Sequence, residues 1–194
     1  MNMYETVKIK FTSASPLLMH NRRLANPMDE YAIALGQLTA KGAKKLTQAD
    51  RIEMSRLEFY GGMYVDEDGH PCIPGEIVEA TVGGGAKKFR KGKDFTAALV
   101  CDGNWPLTYS GPKNLDAMWK DGSFVDVRMA VINQRSILRT RPVFRDWSFT
   151  AELSYLPDAL SLSDVERALD FAGTLVGLCD YRPRYGRFQW EKVA

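Results

Sequence analysis

From Trp147 to Tyr155 the apolar side chains fall on every second residue, and from Val165 to Val176 on every third or fourth. The first spacing belongs to a strand with one buried face, the second to a helix with one buried stripe. Ser163-Asp164-Val165-Glu166 has the form of a capping box and predicts the start of that helix, with Val165, Leu169, Ala172 and Val176 turned inward. Phe188, Trp190 and Val193 then return to the strand period. At the other end Val7, Ile9 and Phe11 alternate with Lys8 and Lys10, a strand that ends near Ser15-Pro16. Further on, extended Pro71-Cys72-Ile73-Pro74 leads to a helix opened by Gly75 and carrying Ile77, Val78, Ala80 and Val82. A β-α pair at one end and a β-α-β unit at the other, with strand-rich material between, predict an α+β fold. Its sheet is mainly antiparallel and covered by helices on one face. The most economical version is a ferredoxin-like, RNA-recognition-type core. The chain reads as one domain over 1–194, with insertions around 17–62 and 102–146.

The insertions carry weaker signals. Tyr31 to Leu38 reads as a short helix, and Thr47 as the cap of another from Gln48 to about Tyr60. Ala49, Ile52, Leu57 and Tyr60 lie near one face of it, and Gly61-Gly62 stops it. Asp66-Glu67-Asp68-Gly69 predicts a tight turn. Three glycines at 83–85 either fray the Gly75 helix or let another backbone approach it closely. Phe95 to Cys101 is expected to be a strand, and Leu115 to Trp119 a short helix.

Twenty-six Lys and Arg against 24 Asp and Glu leave a net charge of +2, so any binding of polyanions must come from where the cations sit. Val125, Val127, Met129 and Val131 alternate, and the segment after them carries Arg135, Arg139, Arg141 and Arg145. If this part is a hairpin, Arg135, Ile137, Arg139 and Arg141 share one face. Their guanidiniums then stand about 6–7 Å apart, near the phosphate spacing of a single nucleic-acid strand. With Arg128 these form the first candidate contact surface; pairing with acids such as Asp126 and Asp146 is the competing explanation. Tyr181, Arg182, Arg184, Tyr185 and Arg187 form the second, interleaving rings that stack on bases with cations that hold phosphates. Lys87, Lys88, Arg90, Lys91 and Lys93 form the densest basic run, suited to an electrostatic funnel or to a solvated helix end. Arg22, Arg23, Lys44 and Lys45 are lesser candidates.

Three scattered cysteines without a CxxC pair point to free, buried thiols in a reducing compartment. The opening residues alternate like a strand, and no run has the length of a membrane span, so a soluble cytoplasmic protein is expected. His70 and Cys72 are too few for a metal site, and Asp66 to Gly69 lacks the distal Glu of a calcium loop. No phosphate-binding GxxxxGK[ST] motif occurs, and two histidines leave little material for a catalytic triad. Neither cofactor nor metal is expected.

Three segments together resemble the repeat-associated mysterious protein superfamily, which includes the RNA-binding backbone subunits of CRISPR effector complexes. Ser13-Ala14-Ser15-Pro16-Leu17-Leu18 is similar to the segment that follows the family's first strand. Cys72-Ile73-Pro74-Gly75-Glu76-Ile77-Val78-Glu79-Ala80 looks like its first helix start, with acidic Glu76 and Glu79 where the family often has Ser and Lys. Residues Gly177 to Phe188 are placed like its glycine-rich loop, with fewer glycines and more Arg and Tyr. The resemblance implies an RNA-recognition-type core and makes the arginine hairpin a candidate for the family's intruding β-hairpin thumb. It also brings in His20, near which related processing ribonucleases place a general base, and Asp29, in the loop where cleaving subunits place an aspartate.

These readings give a first expectation of non-catalytic binding to RNA or single-stranded DNA through the phosphate backbone, with self-association along the strand as a secondary one. Alanine at Arg135, Arg139 and Arg141 is then expected to weaken binding and flatten its salt dependence. Binding is expected to need cations from distant parts of the chain to converge on one groove. Two rivals remain: a metal-independent ribonuclease using His20, and a protein-interaction module or inhibitor mimicking an effector subunit. Exposed Trp105, Trp119 or Trp147 would mark the latter's interface.

Overall fold

In chain order the elements are β1 (Glu5–Ser13), β2 (Leu17–Leu18), α1 (Glu30–Ala40), α2 (Gln48–Gly62), β3 (Cys72–Pro74), α3 (Gly75–Ala86), α4 (Gly92–Ala98) and β4 (Leu99–Val100). There follow β5 (Asn104–Pro106), α5 (Leu115–Asp121), β6 (Val125–Ile132), β7 (Arg135–Phe144), β8 (Ser148–Tyr155), α6 (Leu162–Phe171) and β9 (Phe188–Val193). They come from a computed structural model that describes residues 3–132 and 135–193, with backbone only for Val131, Ile132 and Arg135. The fold is mixed α+β with antiparallel sheets. Two units divide it: Met1–Leu17, Val65–Ser110 and Phe144–Ala194 form the first, Leu18–Tyr64 and Gly111–Val143 the second.

The first unit is built on a four-stranded sheet in the order β4-β8-β1-β9, each neighbouring pair antiparallel. Alternation along β1 turns Val7, Ile9 and Phe11 inward, and the register sets Val7 opposite Leu153 and Phe11 opposite Phe149. The Phe11 ring stacks on Phe149 at 4.6 Å and meets Phe188 edge-on at 5.1 Å. Helices α3 and α6 pack on each other over this core. Gly85 is there for that approach: a Cβ on it would lie 2.1 Å from the carbonyl oxygen of Ala168, whereas one on Gly83 would meet nothing within 4 Å. The helix therefore runs through all three. The Asp66 turn closes as expected, Oδ1 of Asp66 accepting from the amides of Asp68 (3.1 Å) and His70 (2.8 Å).

Two local expectations are corrected here. Phe95 is helical, and only Leu99 and Val100 are extended. Phe95 and Ala98 stand three apart and are both buried, a helical spacing, and the Ala97-Ala98 pair favours the helix. Helix α6 is capped by Ser161, two residues earlier than Ser163, in a reciprocal box with Asp164. After Phe171 it widens into a π-helical turn, Ala172–Val176.

In the second unit a three-stranded sheet has the order β2-β7-β6. Thr47 caps α2 through a box with Asp50. The inward face of α2 is not the one its periodicity predicts: Ile52 is 55% exposed, whereas Glu58, Phe59, Gly61 and Gly62 are buried. Phe59 packs on Trp119 of α5, ring centres 5.5 Å apart, and a Cβ on Gly61 would strike the Leu24 and Tyr31 side chains. No helix among the described residues is long and apolar enough to cross a membrane.

Candidate nucleic-acid interface

Strands β6 and β7 form the expected hairpin, paired from Val125↔Pro142 to Ile132↔Arg135. The register places Arg128 opposite Arg139 and Asp126 opposite Arg141, so one face gathers the arginines of both strands. Carboxylates occupy them. Arg128 donates from Nε and Nη2 to the two oxygens of Asp126. Arg139 donates from Nη1 to Glu58 of α2, whose other oxygen accepts the Thr140 amide at 2.7 Å. Arg141 is buried, only 8% exposed. The Arg135 side chain lies outside the described residues. On this face the competing explanation accounts for Arg128 and Arg139, which pair with acids, and Arg141 is buried. The opposite face exposes Val127, Met129 and Leu138, each more than half accessible. The hairpin thus shows solvent an apolar surface more than a cationic one. Arg145, in the turn before β8, is exposed.

The loop from Gly177 to Arg187 is different. It folds back on the β1–β2 connection: the carbonyl of Arg187 accepts from the amides of Ala14 (2.8 Å) and Ser15 (3.2 Å), and the Gly186 amide donates to Pro16 at 2.8 Å. The Ser15 hydroxyl accepts the Arg187 amide at 2.9 Å. Gly186 has φ +74°, and a Cβ there would lie 2.1 Å from the Leu178 carbonyl oxygen, so no larger residue fits. Tyr181 also adopts a left-handed backbone, φ +55°. Its ring meets Tyr185 at 5.6 Å in an edge-on arrangement, and the Arg187 Nε donates to the Pro183 carbonyl at 2.8 Å. Tyr181, Arg182, Arg184 and Arg187 are exposed. Among the described residues no carboxylate forms an ion pair with Arg182, Arg184 or Arg187. The surface combines a ring pair and three cations on a backbone fixed at both ends.

Lys87, Lys88 and Arg90 are exposed just beyond α3, and Lys91 is half-buried, its Nζ 2.7 Å from Asp164. The Lys91 ammonium holds the Asp164 carboxyl below its ordinary pKa, helped by the Ser161 amide and hydroxyl. Asp164 lies in the first turn of α6, whereas the Gly177 loop follows its far end. Ten helical residues span about 15 Å. The lysine run and the arginine loop therefore sit at opposite ends of one helix, and the expected single groove is not formed by these two clusters.

The outward face of the sheet is polar and balanced. Lys8 pairs with Glu152 at 3.6 Å, Lys10 with Glu191 at 2.9 Å, and Thr6 shares a 2.9 Å hydrogen bond with Ser154. Those outward positions of β1 and β8 hold no aromatic ring for a base to stack on.

His20 is half-buried, and its carbonyl accepts from the Tyr64 hydroxyl at 3.2 Å. Asp29 caps α1: Oδ1 accepts the Tyr31 amide at 2.9 Å and Oδ2 accepts from Arg23 Nε at 2.8 Å. Burial would raise its pKa, but these bonds outweigh that and lower it. Lys44 and Lys45 are exposed, as is Arg22. Trp147 is buried with its indole N–H on the Ser15 carbonyl at 3.0 Å, and Trp105 and Trp119 are half-buried. No group of three or more metal-ligating side chains occurs among the described residues. The partners Asp126 and Glu58 had unequal signals in sequence. Asp126 is two residues from Arg128 and so on its face, while nothing local links Glu58 to Arg139.

Comparison with known protein families finds no match, and comparison with curated proteins finds none either.

Proposed function

We propose that the protein binds RNA or single-stranded DNA without cleaving it, and that the loop from Tyr181 to Arg187 makes the contact. The observation that carries this reading is the set of exposed arginines beside a tyrosine pair, with no ion-paired carboxylate, on a backbone pinned to Ala14, Ser15 and Pro16. Guanidiniums in that state match phosphate oxygens, and an exposed ring such as Tyr181 can stack on a base. A pinned loop also loses little conformational freedom on binding. We read the first unit as a ferredoxin-like core, supported by its connection β1-α3-β4-β8-α6-β9 and its sheet order. Kinship with the repeat-associated mysterious protein superfamily is supported by the meeting of Ser13–Leu18 with the Gly177–Phe188 segment. The balanced sheet face directs the nucleic acid to the loop. Self-association along a strand stays part of the proposal.

The test is a fluorescence-anisotropy titration of labelled RNA and single-stranded DNA at several salt concentrations. Each phosphate neutralised on a single strand contributes a slope of about −0.7 in log K against log salt. The double variant Arg182→Ala/Arg184→Ala is expected to bind more weakly and to flatten the slope by about 1.4. Lys87→Ala/Lys88→Ala is expected to leave it unchanged. An unaltered slope in the arginine variant would reject the loop as the contact.

A second reading rests on the exposed Val127, Met129 and Leu138 of the hairpin, an apolar face suited to a protein partner. Partner capture insensitive to salt, without nucleic-acid binding, would favour it.

A further inference from the structure

On the outward side of the first unit's sheet, near its β4 edge, lies an open cavity of about 550 Å³. That volume is in the range of small-molecule sites. Its floor is the Thr6–Ser154 hydrogen-bonded pair, across β1 and β8. Two aromatic residues, Tyr4 and Trp105, and two carboxylates, Asp102 and Glu152, complete most of its lining. Among the described residues no lysine, arginine or histidine lines it. Glu152 pairs with Lys8 at a loose 3.6 Å, both side chains well exposed, a kind of contact worth little in water.

Trp105 is held in place. It sits in β5 opposite Ile73, and its indole N–H donates to Cys101 Sγ at 3.2 Å. With that donor engaged, the ring offers a ligand only its π surface. A π surface attracts cations, tryptophan most strongly, and carboxylates beside it add Coulombic attraction and hydrogen-bond acceptors. An anion or a phosphate would meet two negative charges, one of them only loosely paired with Lys8.

We propose that this cavity binds an organic cation of the alkylammonium or guanidinium class, with Trp105 and Tyr4 against the cation and Asp102 and Glu152 accepting its N–H groups. The hydroxyls of Thr6 and Ser154 supply further acceptors at the floor. The site is separate from the arginine loop in residues and opposite in charge, so it does not depend on nucleic-acid binding.

The experiment is titration of the ¹⁵N-labelled full chain with spermidine, with arginine methyl ester, and with a short arginine-rich peptide, followed by amide and indole shifts. A neutral diol of similar length is the control. Saturable shifts at Trp105 and Thr6 with a cation and none with the diol are expected. Stronger binding of spermidine than of the peptide identifies a free amine as the ligand, and the reverse identifies a partner's side chain. Asp102→Asn/Glu152→Gln, which keeps size and shape, is expected to weaken binding at least tenfold, and Trp105→Leu to weaken it in a chain whose other amide shifts show it folded. No saturable shift with any cation, or equal binding by the Asn/Gln variant, would overturn the proposal. Neither outcome bears on the salt slope of the arginine loop.

Discussion

Single side chains decide which of the cations are available. Glu58 is the clearest case: one buried carboxylate accepts from both the Arg139 guanidinium and the Thr140 amide. Glu58→Ala strands a buried amide donor and leaves Arg139 without this acid. A buried donor left unsatisfied costs about 1–3 kcal/mol. Urea denaturation of this variant is therefore expected to show a lower midpoint with an unchanged slope, and an unshifted midpoint would count against the pair. The three thiols make a second prediction. Burial pushes Cys72 and Cys101 up to about 12, from an ordinary 9.0, and desolvation does the same for Cys179, which is half-buried. Their thiolates are the nucleophiles, so a thiol reagent at neutral pH should modify the native protein far more slowly than the unfolded one. The sign for stability follows from the same shift. The unfolded chain loses these protons near pH 9.0 while the folded one keeps them, so unfolding is favoured progressively as pH rises above 9.0. Thermal melts from pH 8 upward, with the three cysteines replaced by Ser or Ala as the comparison, should isolate this contribution; identical pH profiles would discount it.

At the scale of elements, caps and close approaches explain both what the sequence revealed and what it hid. Helix α6 begins at Ser161, whose side chain accepts the Asp164 amide while Asp164 accepts the Ser161 amide. Ser161→Ala should lower stability by about 1 kcal/mol, whereas Ser163→Ala should change it little. A larger loss at Ser163 would show the cap misplaced. Ser161 and Ser163 both precede an acidic residue at the required three-residue spacing, Asp164 and Glu166, so pattern reading had two solutions. Strands β1, β8 and β9 were legible because alternation over one buried face is a strong, local signal. Phe95 was misread because a short apolar run fits helix and strand alike. The exposed side of α2 was misread because Glu58 faces inward against propensity, toward partners some 81 residues away. The same kind of long-range pairing explains the hairpin: its strands were readable, but the acid facing Arg139 comes from another element. The arginine loop was readable as composition. What pins it, Gly186 against Leu178 and Arg187 against Ala14 and Ser15, was not.

Across the molecule, charge is arranged by neutralisation more than by accumulation. Lys8 and Lys10 of β1 face glutamates, Arg128 and Arg139 of the hairpin face carboxylates, and Lys91 faces Asp164, which is how a chain of net +2 still leaves a small cationic loop open. The second unit is drawn from two stretches, Leu18–Tyr64 and Gly111–Val143, and the first from three, so each is completed by segments far apart in sequence. Pairings of that kind form slowly, because distant segments must first be brought together. The join of Ser15 to Arg187 spans 172 residues, and β1 is flanked on one side by β9. Both neighbours of β1, β8 and β9, lie far downstream of it in the chain. A ribosome therefore makes β1 well before either of them, and Val7, Ile9 and Phe11 wait uncovered until those strands arrive. That interval is when holdase chaperones would have most to bind.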